Sequence, residues 1–266
     1  MNPMIGKELR QRMRERRGWI LPSLYLATLG AVIALAYYLM TVSPNRQQQG
    51  WQIGVALFFT VAYTQLSLLL LMAPIFSAGA LTIEKEQRTL AGLLTTLLRP
   101  IQIWWGKFVA SLMYVLLLLV AGLPVLSVVF AFGGVGPWEV GIAILTTVVI
   151  LATISAMSLY WSSLFRRSVH ATAVSYVSVI VMTVVTFIIY SIGMLVYHSS
   201  ASSWDLMPSI LKAPLYFNPA FFLTMAFVPA DQLYPEWVQC LAVFLLLGVV
   251  STLLTLRNLR RGGEMV

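Results

Sequence analysis

Six long apolar runs separated by short polar stretches dominate the chain: Trp19–Val42, Gln52–Phe76, Lys107–Ala131, Val140–Leu164, Val169–Tyr197 and Trp237–Leu256. Each is about 20 residues or longer, enough to cross a bilayer as a helix. Two polar segments carry a helical pattern of their own. Over residues 1–18, Ile5, Leu9 and Met13 form a narrow apolar stripe. Lys7, Arg10, Arg14 and Arg17 make a basic face, and Glu8 and Arg12 are spaced for an i,i+4 pair. This pattern predicts a helix lying at the headgroup level with its cations on anionic lipid. Between the second and third runs, Leu90, Leu93, Leu94, Leu97 and Leu98 share one helical face. Arg88, Thr95 and Arg99 fall on or near the other face, and Pro100 disfavours helix at Arg99. Glu84 and Glu86 sit at the N-terminal end, where the helix dipole favours negative charge. The spacing therefore predicts a short amphipathic helix over about 84–100. The loop 198–236 mixes Pro208, Pro214, Pro219, Pro229 and Pro235 with aromatics, which predicts short interfacial helices. Gly133-Gly134-Val135-Gly136 reads as a tight turn between the third and fourth runs.

Composition agrees with this pattern. Of 266 residues, 59% are hydrophobic and 10% charged, against roughly 45–50% and about 25% in soluble domains. The predicted class is an all-α integral membrane protein with six transmembrane helices. Its parts are an interface helix over 1–18, a transmembrane domain over 19–256 and a tail over 257–266. The longest stretch outside the runs is too short for a soluble ATPase, kinase or receptor domain.

The formal charge of +8 suggests nucleic acid only if the cations gather on a soluble face. Instead, every Lys and Arg except Arg46 and Lys212 falls on one side of the six-span layout. The positive-inside rule then places both termini in the cytoplasm of a cell (plasma or inner) membrane protein. The first run is too long for a cleaved signal peptide. Cys240 stands alone, so no internal disulfide forms.

Chemistry-bearing groups are scarce within the runs. All nine acidic residues lie outside or at the edges of the spans, and His170 and His198 sit at opposite ends of the fifth. A proton-coupled carrier places such groups inside the bilayer, so that class is disfavoured, although sodium coupling through carbonyls and hydroxyls stays open. Two separated histidines and one cysteine make neither a metal site nor a Cys–His pair. Gly106-Lys107 is no phosphate loop, because Ile101 and Phe108 occupy the positions of its glycine and hydroxyl residue. Hydroxyls do form stripes: Thr60, Thr64 and Ser67 beside Gln65 in span two, and Thr172, Ser175, Thr186 and Tyr190 in span five. They read either as a path or chain interface, or as groups bonded within packed helices.

One segment carries a resemblance. Glu84-Lys85-Glu86-Gln87-Arg88-Thr89-Leu90, then Leu93-Leu94-Thr95-Thr96, Arg99-Pro100 and Gly106-Lys107, resembles the stretch after the second span of ABC-2 type permeases. Arg88 stands where that family commonly has glycine. Asn2-Pro3, Lys7-Glu8-Leu9-Arg10, Pro124, Gly133-Gly134 and Asn218-Pro219 fit the same family, so the likeness covers essentially the whole chain.

The resemblance implies a permease subunit of an ABC transporter, exporting substrate with ATP hydrolysed by a separate nucleotide-binding ATPase subunit. It implies that residues 84–100 form a coupling helix, with Glu84, Glu86, Arg88, Thr89, Thr95 and Arg99 at the ATPase. Lys7, Glu8, Arg10, Arg14 and Arg17 belong to the interface helix. A second permease chain, identical or related, would pack beside the first, with spans two and five (Thr60, Thr64, Ser67, Ser175, Thr186) at the path or chain interface. The loop before span six would dip back into the bilayer. No cofactor or metal is expected on this chain, ATP and Mg belonging to the ATPase, and membrane lipids rather than nucleic acid are its other partners. An ion-coupled or passive carrier, or an ATPase-binding scaffold without transport, stands as the alternative. A membrane enzyme ranks last.

Overall fold

The computed structural model describes residues 17–42, 50–87, 100–130, 133, 135–199, 213–227 and 230–264. The interface segment before Arg17, and Arg88, Thr89, Thr95 and Arg99, lie outside the described residues. Every regular element among the described residues is helical: α1 (Arg17–Val42), α2 (Gly50–Glu86), α3 (Pro100–Phe130), α4 (Pro137–Leu164) and α5 (Ser168–Ile180). A π-helical turn (Val181–Val185) joins α5 to α6 (Thr186–Ser199). A 3₁₀ turn (Ala213–Phe217), α7 (Pro219–Met225) and α8 (Ala230–Glu264) complete the chain. Six segments are long and apolar enough to cross a membrane, the fifth being α5 and α6 taken together. The all-α architecture and the six spans follow the apolar runs.

Several boundaries differ from expectation. Helix α2 runs on past Phe76 to Glu86, because Ser77, Ala78, Gly79, Ala80 and Leu81 interrupt the large apolar residues without breaking the helix. The coupling helix expected from about 84 therefore does not begin there. Glu84, Lys85 and Glu86 form the last turn of α2, and Pro100 already opens α3. Helix α8 is longer than the sixth apolar run at both ends, so the expected tail from 257 is helical as far as Glu264.

Helices α2 and α4 form the most extensive pair and the centre of the bundle, while α1 is the most exposed span. Between membrane helices the hydrophobic effect offers no driving force, so close approach of small residues and buried hydrogen bonds must hold them. The central pair uses both. Ala62, Ala73, Ser77 and Ala80 are buried on α2, and Ala143, Ser155, Ser158 and Ser162 on α4. The Ser162 hydroxyl oxygen approaches near enough to accept from the Leu81 and Thr82 amides, both at 3.1 Å. Large apolar residues of the fifth span, among them Val177, Ile180, Val184, Phe187, Ile188 and Leu195, face outward. A membrane supplies the apolar surroundings such a surface requires.

The loop before the last span does enter the bundle. In α7, Phe222, Leu223 and Ala226 are almost wholly buried, and Phe222 stacks on Phe244 of α8 at 5.1 Å. Non-helical backbone at this depth needs its polar groups satisfied by protein, and Asn218 provides that. Its side-chain oxygen caps α7 by accepting from the Ala220 and Phe221 amides. Its amide nitrogen donates to the Thr183 carbonyl at 2.9 Å and to the Thr186 hydroxyl at 3.0 Å, both in or beside the π turn. Tyr63 of α2 and Thr224 of α7 share a further hydrogen bond of 2.6 Å. Before α4, Gly133 has φ +75°, a region glycine enters without steric cost, and Gly136 is the cap preceding Pro137; Gly134 lies outside the described residues.

Candidate functional site

The end of the bundle where α2 closes and α3 opens gathers the charged residues singled out above. Successive helical residues point about 100° apart, so Glu84, Lys85 and Glu86 reach three different neighbours. Glu84 pairs with Lys107 of α3 at 2.6 Å, with side chains 16% and 9% exposed. Burial makes this pair costly to break, since removing one partner strands the other charge.

Lys85 reaches the end of α4. Its ammonium donates to the carbonyls of Ser162, Ser163 and Phe165 at 2.5–3.1 Å. The last carbonyls of a helix have no partner within it and form the negative end of its dipole. A lysine delivered from another helix satisfies both needs at once. Asn258 of α8 donates to the Ser163 hydroxyl at 3.0 Å, bringing the last span to the same place.

Glu86 does the converse at the start of α5. Its carboxylate accepts from the Ser168 amide at 2.6 Å and the Ser168 hydroxyl at 3.0 Å. Arg167, the residue preceding α5, supplies no side-chain cap of its own. Glu86 thus fills the capping role from outside, with its negative charge at the positive helix end.

The hydroxyl stripes resolve into local bonds. Thr60 donates to the Ala56 carbonyl, Thr64 to Thr60, Ser67 to Tyr63, Ser175 to Ala171 and Thr186 to Met182. Ser67 is exposed and Thr60 and Thr64 are half-buried, whereas Ser175 is 0% exposed within the single chain. Thr186 also accepts from Asn218, which places it at the π turn. Gln65 turns the other way, into the core, and donates to the Leu119 carbonyl at 3.2 Å. A Cβ on Gly122 would lie 2.7 Å from the Gln65 amide nitrogen and 2.8 Å from the Tyr25 hydroxyl, so a side chain there would have to displace the ends of both. The cavity beside Gln65, about 20 Å³ and lined by Phe58, Leu126, Val140, Thr147 and Leu223 among others, has room for about one water.

Two structural features go beyond what the sequence pattern singles out. Lys85 has a signal in retrospect, being a cation flanked by two carboxylates at the end of an apolar run. The π turn has none, since Val181-Met182-Thr183-Val184-Val185 reads as ordinary apolar helix.

A comparison with curated proteins finds no significant match. The family model described as ABC-2 family transporter protein matches residues 3–261, which takes in all six spans, the basic N-terminal segment, the Glu84–Glu86 cluster and Asn218. With nearly its whole length matched, this chain belongs to the ABC-2 family of transporter membrane proteins.

Proposed function

We propose that the chain is the permease subunit of an ABC exporter, driven by ATP that a separate ATPase subunit hydrolyses with Mg. The family match over residues 3–261 carries this reading, because ABC-2 membrane proteins work with ATPase subunits. The end of the bundle bearing Glu86, Pro100 and Ser168 faces the cytoplasm, supported by the one-sided distribution of Lys and Arg. Both termini then lie in the cytoplasm of the plasma or inner membrane.

The ATPase docks on residues 88–99, with Arg88, Thr89, Thr95 and Arg99 in contact and Glu84 and Glu86 in the last turn of α2 that leads into them. The N-terminal segment carrying Lys7, Glu8, Arg10, Arg14 and Arg17 lies on anionic lipid beside it. A second permease chain packs against the faces of spans two and five that include Thr60, Thr64, Ser67 and Thr186. One observation supports a path between chains: α2 exposes Ser67, Leu71 and Ile75 along one side.

Affinity purification of the tagged chain from its native membrane in mild detergent tests the reading. An ATPase with a phosphate-binding loop should accompany it, together with measurable ATP hydrolysis. A chain that emerges alone and inactive at low salt would favour an ion-coupled or passive carrier instead.

A further inference from the structure

Residues 88–99 are covalently continuous with α2 and α3, so any force on them reaches those two helices through the backbone. The fifth span has no such connection. It begins some 80 residues later, after the turn Phe165-Arg166-Arg167. Among the described residues, the side chains of Lys85 and Glu86 tie the two sides of that turn to the end of α2. Further along, α5 packs on α2, with the Tyr176 hydroxyl donating to the Leu71 carbonyl. Lys85 grips the side of the turn where α4 ends, through the carbonyls of Ser162, Ser163 and Phe165. Glu86 grips the other side, through the amide and hydroxyl of Ser168. Cation meets negative helix end and anion meets positive helix end, so exchanging the two residues would oppose both dipoles.

We propose that Lys85 and Glu86 are positioning residues that clamp the α4–α5 turn to the last turn of α2, so that displacement of residues 88–99 is delivered to the fifth span. This inference rests on the ATPase-coupled reading above and adds to it a side-chain route to a helix that the coupling segment does not adjoin in sequence. The two grips resist different motions. Lys85 holds three carbonyls and opposes separation of α2 from α4. Glu86 holds a single amide and its own residue's hydroxyl and opposes rotation of the start of α5. Charge-assisted bonds to backbone groups are short and directional, which suits them to transmit a small shift.

The test uses the complex of permease and co-purified ATPase in native-lipid nanodiscs, in a Cys240→Ala background. A cysteine replaces Leu195, which is 74% exposed near the end of α6 and far from the clamp. Maleimide labelling of that cysteine is followed with and without ATP plus vanadate, in complexes matched for ATPase content. The parent should show a nucleotide-dependent labelling rate. Glu86→Ala should lose that dependence, and Glu86→Gln, which keeps an acceptor oxygen for Ser168, should retain most of it. Lys85→Met, which keeps the stem without the ammonium, should behave as Glu86→Ala does, and it decides the matter if Glu86→Ala fails to assemble. A full nucleotide response in either deleting variant overturns the clamp. No response in the parent overturns the ATPase-coupled reading itself, and the clamp with it.

Discussion

Asn218 and Thr183 meet through a 2.9 Å bond from side-chain amide to backbone carbonyl, joining the buried α7 to the middle of the fifth span. The same side chain caps α7 with its oxygen, so one asparagine serves both elements and uses donor and acceptor for different tasks. Asparagine is the short side chain that presents both kinds of group in one plane.

Replacing Asn218 separates those tasks. Asn218→Ala removes the cap and both bonds to span five, and should cost about 2–4 kcal/mol. Asn218→Asp keeps the capping oxygen but sets an acceptor against the Thr183 carbonyl, so it too should lower the midpoint of thermal unfolding in detergent. An aspartate variant as stable as the parent would show that the donor bonds contribute nothing.

Where α1, α2 and α3 cross, the side chains of Tyr25 and Gln65 end against Gly122. Gly122→Ala places a methyl group on the Gln65 amide and the Tyr25 hydroxyl, an overpacking that typically costs about 1–3 kcal/mol. Adding Gln65→Ala should restore part of the loss. Equal destabilisation with and without glutamine would place the strain elsewhere.

For the Glu84–Lys107 pair, removal of one charge should hurt more than removal of both. Lys107→Met alone strands a carboxylate that is mostly enclosed, a loss of about 3 kcal/mol. The double variant Glu84→Met with Lys107→Met should recover much of it. A double-mutant cycle of denaturation midpoints reads the coupling directly, and purely additive losses would mean the pair is not coupled.

Single cysteines at Thr60, Thr64 and Ser67, in a Cys240→Ala background, should crosslink between two permease chains in membranes. Ser67, the most exposed, should react best, and a cysteine at the buried Ser175 should not react. Silence along the whole α2 stripe would move the chain interface to another face.

The spans were legible because apolar runs of this length have few folded fates other than crossing a membrane. Their ends were less so. Helix α2 outlasts its apolar run because Ala78, Ala80 and Leu81 favour helix as well as Phe76 does, while hydropathy alone registers a decline. Glu84 and Glu86 stand out as charges, but the apolar run stops at Phe76 and the dipole argument assigns them to the start of a new helix, whereas they lie in the last turn of α2. Their partners Lys107 and Ser168 lie in other spans, beyond the reach of local spacing. Asn218-Pro219 enters the sequence reading only as a dipeptide that fits the family, although a capping residue followed by proline is also a helix start. That its amide would also turn outward to span five depends on how deeply α7 is buried, which only the packed bundle decides.

The π turn has a consequence for how the fifth span is phased. It takes up one residue more than an α-helical turn would, and one residue is worth about 100° of rotation. The stripe Thr172, Ser175, Thr186 and Tyr190, continuous if a single period is drawn through it, is therefore broken at residues 181–185: α6 presents a face turned well away from the one α5 would extend. Deleting a single valine there should let the span close into uninterrupted α-helix and swing everything beyond it by roughly a quarter turn. Thr186 would leave Asn218 behind, and every side chain of α6 would face a new direction without one of them being mutated.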